Sequence, residues 1–207
     1  MCVIIAKPSK VNAPDIATIK AAIATNPHGS AIVWVKDGHL ETFKSLNAEE
    51  MINYYKDNFT ALNNAPFVFH ARIATNGSKC IKNCHGWKTL NGHAAFFHNG
   101  ILNIESRGDL TDSETFLRDI YEPIALHGGH KSAVKAINAI IGTSKFAFIG
   151  DTGQIKLYGH YFNVNGVMYS NLNHVRHESR TARHWSYIDW WEEQMNINGG
   201  VLPWERK

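Results

Sequence analysis

The sequence predicts an α+β domain built on mainly antiparallel sheets, and three observations predict it. Short apolar runs of strand length open the chain and return in its second half. Two segments with helical periodicity follow one another between them. Asp37-Gly38 and Asn165-Gly166 are tight-turn signals between apolar runs, and such turns leave no room for a crossover helix. Two sheets covered by helices satisfy this order. The 207 residues are taken as one domain, with 173–207 a C-terminal extension carrying Trp185, Trp190, Trp191 and Trp204.

Each element has a local cause. Cys2-Val-Ile-Ile-Ala6 is apolar on both faces, as a strand covered on both sides must be. Pro14 and Asp15 suit a first helical turn, Ile16, Ile19 and Ile23 share a stripe, and Asn26-Pro27 ends the helix. Residues 29–36 and 39–44 read as a hairpin around Asp37-Gly38. Asn47 caps a second helix, with Glu50 three residues on and Met51, Tyr55 and Phe59 on one face. Residues 66–73 and 93–98 are the next apolar strands, separated by a polar loop with Gly77, Cys80, Cys84 and Gly86. Thr111-Asp-Ser-Glu114 has capping-box spacing and starts a helix carrying Phe116, Leu117 and Ile120. A helix over about 131–141 ends at Gly142, and strands follow at 145–149, 154–158 and 167–170.

Composition excludes several classes of function. Hydrophobic residues are 44% of the chain and charged residues 19%, which supports a packed core rather than disorder. The net charge of +3 is mild and Lys and Arg form no run, so no nucleic-acid partner is expected. No apolar stretch approaches the roughly 18 residues that span a bilayer, and no secretory signal precedes Cys2, so no membrane association is expected. An odd cysteine count (Cys2, Cys80 and Cys84) argues against a disulfide framework and for a reducing, cytoplasmic setting. Cys80, Cys84 and His85 lack a fourth ligand nearby, so neither a metal site nor a cofactor is expected.

Four groups of residues carry possible chemistry. Removal of Met1 would give Cys2 a thiol and a free α-amine on one residue. The thiol is only a few per cent ionised at neutral pH, and the amine, with a pKa of about 8, is the nearest base. Arg72, within His70-Ala-Arg-Ile-Ala-Thr-Asn-Gly77, sits among apolar and small residues and needs a carboxylate partner, either a ligand's or an internal one. In His98-Asn-Gly100 the Asn99 amide and the Gly100 N–H offer two donors for an oxyanion, or an ordinary turn. Asp112 either binds a ligand or complements the helix dipole.

Together these segments resemble the class II glutamine amidotransferases, which are N-terminal-nucleophile hydrolases. The opening Met-Cys-Val-Ile-Ile-Ala6 is similar to the family's Met-Cys start, and Asn26 to Ile32 to its loop-to-strand segment near the nucleophile. His70 to Gly77 is similar to its His-x-Arg-x-Ala-Thr-x-Gly motif, Asn83-Cys-His85 to its Asn-x-His element, and His98-Asn-Gly-Ile101 to its His-Asn-Gly signature. Thr111 to Glu114 resembles its helix start, and Ser170-Asn-Leu172 is a weaker match to a Ser-rich turn. Asn76 stands where many members have His and Gly86 where Pro is common, while Cys80 and Cys84 lie outside the motif.

The resemblance implies a four-layer α/β/β/α sandwich of two mainly antiparallel sheets. It implies Cys2 as nucleophile and its amine as proton carrier, with Asn99 and the Gly100 N–H as oxyanion hole. Arg72, Thr75 and the backbone near Ile73 would grip the α-carboxylate of L-glutamine; Asp112 and the Gly100 carbonyl would hold its α-ammonium. About 35 residues follow the last match, too few for a synthetase domain. An acceptor enzyme on a separate chain, such as an ATP-dependent amide ligase, is therefore expected. A related amidohydrolase acting on another amide or a γ-glutamyl compound, or a non-catalytic interaction protein, are the alternative readings.

Overall fold

Residue alternation organises the molecule. β1 (Val3–Lys7) is buried along its whole length and pairs with a strand on either side. Val3 and Ile5 face one hydrophobic layer, and Ile4 and Ala6 face another. The structure, a computed structural model, describes residues 2–74 and 77–174 and the backbone of 183–185. Thr75 and Asn76, and the extension's Trp190, Trp191 and Trp204, lie outside the described residues.

The elements follow in chain order. After β1 come α1 (Ile16–Thr25), the hairpin strands β2 (Ser30–Lys36) and β3 (His39–Ser45), and α2 (Ala48–Asp57). Then come α3 (Phe59–Asn64), β4 (Phe67–Ala71), β5 (Trp87–Lys88) and β6 (Ala94–Asn99). α4 (Asp112–Thr115) continues through a π-helical stretch, Phe116–Tyr121, into α5 (Glu122–Ile140). The chain then forms β7 (Lys145–Gly150), β8 (Ile155–Tyr158), β9 (Tyr161–Val164) and β10 (Val167–Tyr169). The backbone at Arg183–Trp185 forms β11.

The larger sheet has the order β11-β9-β10-β1-β4-β2-β3 and the smaller β5-β6-β7-β8. Every strand pairing described is antiparallel. Ile19 and Ile23 of α1 and Met51 and Tyr55 of α2 cover the outer face of the larger sheet, against Ile5, Ile32, Trp34 and Phe69. Ile4, Val33, Val68, Ala95, Phe97 and Ile149 fill the layer between the sheets. Phe116, Leu117 and Ile137 cover the outer face of the smaller sheet, against Phe96, Phe146 and Phe148. The result is the expected α/β/β/α sandwich. Among the described residues no helix is long and apolar enough to cross a membrane.

Local chemistry sets the ends of these elements. The Asp15 carboxylate accepts from Thr18 N at 2.7 Å and caps α1, while Asn47 accepts from Glu49 N and Glu50 N and caps α2. Both turn residues of the β2–β3 hairpin have positive φ, 50° at Asp37 and 76° at Gly38, as an Asp-Gly type I′ turn requires. Lys7 is fully buried because its ammonium donates to the carbonyls of Asn63 (2.7 Å) and Ala65 (2.8 Å) where α3 ends.

Several boundaries differ from the sequence expectation. Phe59 opens α3 instead of extending α2, because Asn58 caps the end of α2 with its backbone N–H. The helix expected from about 131 begins at Glu122 and bends at Gly129, whose φ is 70°. Its first turns were hidden by Pro123, which a helix tolerates at its start, and by the poor helix formers Gly128 and Gly129. Strands β5, β9 and β11 were not anticipated. β8 and β9 also lie in different sheets, and the chain crosses between them at Gly159. There φ is 89° and a Cβ would lie 2.5 Å from the Ser144 carbonyl oxygen, so only glycine fits.

Candidate active site

Two-residue periodicity carries the inner faces of four strands to a common end of the inter-sheet layer. Ile4 and Ala6, Val68, Ala95 and Phe97, and Met168 all face that layer. Continued by the same alternation, those faces present Cys2, Arg72, Asn99 and Ser170 at one end. All four lie on strand ends or immediately beyond them, and Arg72, Asn99 and Ser170 are buried.

Hydrogen bonds tie these residues together. The Cys2 thiol lies 3.3 Å from the Ile73 amide, which donates to it, and 3.4 Å from the Ile73 carbonyl. Burial pushes the Cys2 thiol pKa up, and the Ile73 hydrogen bond opposes that rise by favouring the thiolate. Asn171 donates through Nδ2 to the Cys2 carbonyl at 2.7 Å and so fixes the first residue of the strand. The Asn99 side chain donates through Nδ2 to Ser170 Oγ at 2.7 Å. Gly100 follows with φ of 146°, and a Cβ there would lie 2.1 Å from Ser144 Oγ. Only glycine lets this turn pass Ser144.

Arg72 projects beyond β4. Its Nη1 donates to the Ser78 carbonyl at 3.0 Å, and the same carbonyl accepts from Asn83 Nδ2 at 3.0 Å. Asn83 therefore fastens the loop that wraps the guanidinium. On the same loop a methyl at Gly77 would lie 3.0 Å from Thr111 Cγ2 and 3.7 Å from Arg72 Nη2. The loop thus connects Arg72 to the helix start bearing Asp112. Asp112 is buried; Oδ2 accepts from Leu102 N at 2.9 Å, and Oδ1 accepts from Ser113 N at 2.8 Å.

No protein-family model matches the sequence, and no curated protein sequence does. Solved structures do share its architecture. The glutamine phosphoribosylpyrophosphate amidotransferase of B. subtilis, in complex with ADP and GMP, aligns with 89% of this chain at a TM-score of 0.56 and 16% identity. A structure of the allosteric regulatory enzyme of purine biosynthesis aligns with 90% of it, at a TM-score of 0.61 and 16% identity. The chain has the N-terminal-nucleophile hydrolase fold of the class II glutamine amidotransferases. It spans 44% of the length of each of these two neighbours.

Within this N-terminal-nucleophile fold, three histidines of the sequence motifs, His70, His85 and His98, form one buried column. His70 and His85 stack with ring centroids 4.0 Å apart and planes 6° from parallel, and His98 continues the stack 6.3 Å from His85. His85 Nδ1 accepts from His98 N at 3.1 Å, and His98 Nδ1 lies 2.7 Å from Ser113 Oγ. Burial lowers the pKa of all three, to about 3 for His70 and about 4 for His98. Burial therefore holds all three rings neutral at physiological pH.

Of the residues expected from the sequence, the fold brings Cys2, Arg72, Ile73 and Asn99, with Gly100 next to it, to one end of the inter-sheet layer, and Thr111, which precedes Asp112, lies near the Arg72 loop at Gly77; Thr75 lies outside the described residues. Sequence reasoning assigned no role to His28, which accepts from Ala74 N at 3.0 Å and shapes the loop after Arg72. It singled out Ser170 and Asn171 only as a weak turn match. A Ser-Asn pair closing a strand was the available signal, and its partners, 166 and 169 residues away, were not visible locally.

Proposed function

We propose that the chain hydrolyses the side-chain amide of L-glutamine to glutamate and ammonia, with Cys2 as the nucleophile. The observation that carries this reading is the placement of Cys2, Arg72 and Asn99 at one end of the inter-sheet layer of an N-terminal-nucleophile fold. Removal of Met1 frees the Cys2 amine, which takes the thiol proton through a water. The sulfur then forms a bond to the amide carbon, and the carbonyl electron pair moves onto oxygen. The second Nδ2 proton of Asn99 and the Gly100 N–H receive that charge. Collapse of the adduct breaks the C–N bond, and the amine's proton leaves with ammonia. Water then adds to the thioester, the C–S bond breaks, and glutamate departs.

Substrate register follows from charge at the two ends of the amino-acid head group. The Arg72 fork suits the α-carboxylate, and Thr75 is assigned to the same group. The backbone near Ile73 is assigned to the same carboxylate, and its N–H lies 3.3 Å from the Cys2 sulfur. Asp112 Oδ2 accepts one hydrogen bond and keeps a lone pair for the α-ammonium, alongside the Gly100 carbonyl. This proposed site needs no metal or cofactor. We assign the ammonia to a cytoplasmic acceptor enzyme, such as an ATP-dependent amide ligase; the two neighbours extend well beyond the matched region.

Release of glutamate and ammonia from L-glutamine by the mature chain, checked by intact mass for Met1 removal, tests the proposal. Cys2→Ala should abolish release, and Asn99→Ala should lower turnover by about 10²–10³-fold. A processed chain that releases nothing from glutamine, even with candidate acceptors present, would reject it.

A further inference from the structure

Ser170 accepts two hydrogen bonds, one from each sheet. Its Oγ takes Ile4 N at 2.8 Å from the larger sheet and Asn99 Nδ2 at 2.7 Å from the smaller. The Ser170 amide in turn donates to the Ile4 carbonyl at 2.9 Å. The side-chain oxygen therefore takes the place that the Ser170 carbonyl would hold in the next step of the β1–β10 ladder. This lets the chain turn away, and Asn171 reaches the Cys2 carbonyl. Among the described residues, the bond to Ser170 is the only hydrogen bond of the Asn99 side chain, whose Oδ1 is buried without a partner.

The geometry points to Ser170 as a positioning residue for the oxyanion donor. An amide held by one bond is free to rotate about its terminal torsion once that bond is lost, because such torsions are broad. Held by Ser170, which also binds the Ile4 amide two residues from Cys2, the Asn99 amide keeps its remaining N–H in one fixed direction. Preorganised donors of this kind supply much of the stabilisation of a developing charge, and that benefit depends on their not having to reorient. One hydroxyl thus sets both the strand that begins with the nucleophile and the donor that receives the charge. The kinetic part of this inference rests on the proposed glutaminase reading, whereas the hold on the amide does not.

The first test reads the hold directly. The Asn99 side-chain amide, assigned in ¹⁵N spectra by its loss in Asn99→Asp, should give two widely separated, slowly exchanging proton signals in the native chain. Ser170→Ala should speed their exchange by about tenfold or more, and Ser170→Thr, which keeps the hydroxyl, should restore them. Unchanged exchange in a folded Ser170→Ala chain overturns the inference, whether or not glutamine is turned over. If exchange speeds up while the processed native chain shows no glutaminase activity, the hold stands and the proposed function fails.

The second test is a double-mutant cycle. Ser170→Ala should lower kcat by about 10–100-fold and change KM less than about threefold, with the loss largely recovered in Ser170→Thr. In an Asn99→Ala background the same change should cost several-fold less, because the residue it positions is gone and only the lost Ile4 N bond remains. Losses that multiply in the double variant would mean that Ser170 does not act through Asn99, which overturns the assignment.

Discussion

Acidification to pH 5 should remove much of the stability of this fold, through the buried histidine column. In the folded chain His70 has its pKa lowered to about 3, by burial first and then by the neighbouring His98 and Arg72. His98 is lowered to about 4, with burial outweighing the opposing pull of Asp112, and His85 is lowered in the same direction. An unfolded histidine titrates near 6.5. Below that pH the unfolded chain binds protons that the folded chain refuses, so stability is intact above about pH 6.5 and falls as pH drops toward the folded values. Each such histidine contributes a slope of about 1.4 kcal/mol per pH unit, hence about 2 kcal/mol between pH 6.5 and pH 5. His70 and His98 together amount to about 4 kcal/mol, a large fraction of the roughly 5–15 kcal/mol typical of a folded domain. Carboxylates titrate below this window, but His130 and His174, each lowered to about 4 by burial, and Lys156, lowered to about 7, add slope of the same sign, so the column's share is read from variants. Urea unfolding followed through the buried Trp34 and Trp87 at pH 8, 7, 6 and 5 measures the effect. His70→Phe retains a planar ring in the stack and should reduce the slope by about one proton. A stability that stays flat from pH 7 to pH 5 would refute the claim that these rings are neutral in the folded state.

Three further perturbations have definite outcomes. Gly100→Ala places a Cβ 2.1 Å from Ser144 Oγ and 2.9 Å from Ser144 Cα at a φ of 146°. Backbone strain and overpacking together should cost about 2–5 kcal/mol, seen as a lower Tm that Ser144→Ala does not restore, since the backbone contact remains. Arg72→Lys loses the fork that grips a carboxylate and should raise the KM for glutamine about 10–100-fold with a smaller change in kcat, measured by steady-state ammonia release. Phe97→Ala empties a fully buried position between the sheets and should destabilise by about 3–5 kcal/mol in denaturant unfolding.

Much of the architecture was legible because a short, continuous apolar run is a local signal. The runs at Val3–Lys7, Phe67–Ala71 and Ala94–Asn99 announce buried strands, and the residues flanking them fall on the same inner face. The Asp37-Gly38 turn and the Asn47 and Thr111 caps are equally local and appear where expected. What sequence reasoning missed depends on distant partners. β5 is two residues long and exists only because it pairs with β6. β9 follows β8 after two residues yet joins the other sheet, a choice made at Gly159 by its contact with the Ser144 carbonyl. The same holds for the site. Cys2, Arg72 and Asn99 sit in recognisable motifs, whereas Ser170 and Asn171 gain their place only when β10 is laid against β1. The backbone trace at Arg183–Trp185, paired with β9, lies in a segment without strand periodicity of its own.

The entry of β1 into the sheet at its third residue has a practical side. With neighbours on both edges of that strand and Asn171 clasping the Cys2 carbonyl, the amino end has no slack to swing clear. Affinity handles and fluorescent fusions therefore belong at the opposite terminus. If Met1 is removed, as the proposed function requires, Cys2 carries a 1,2-aminothiol, and the yield of its chemoselective condensation with an aromatic nitrile in the unfolded chain would report how much of a preparation is processed.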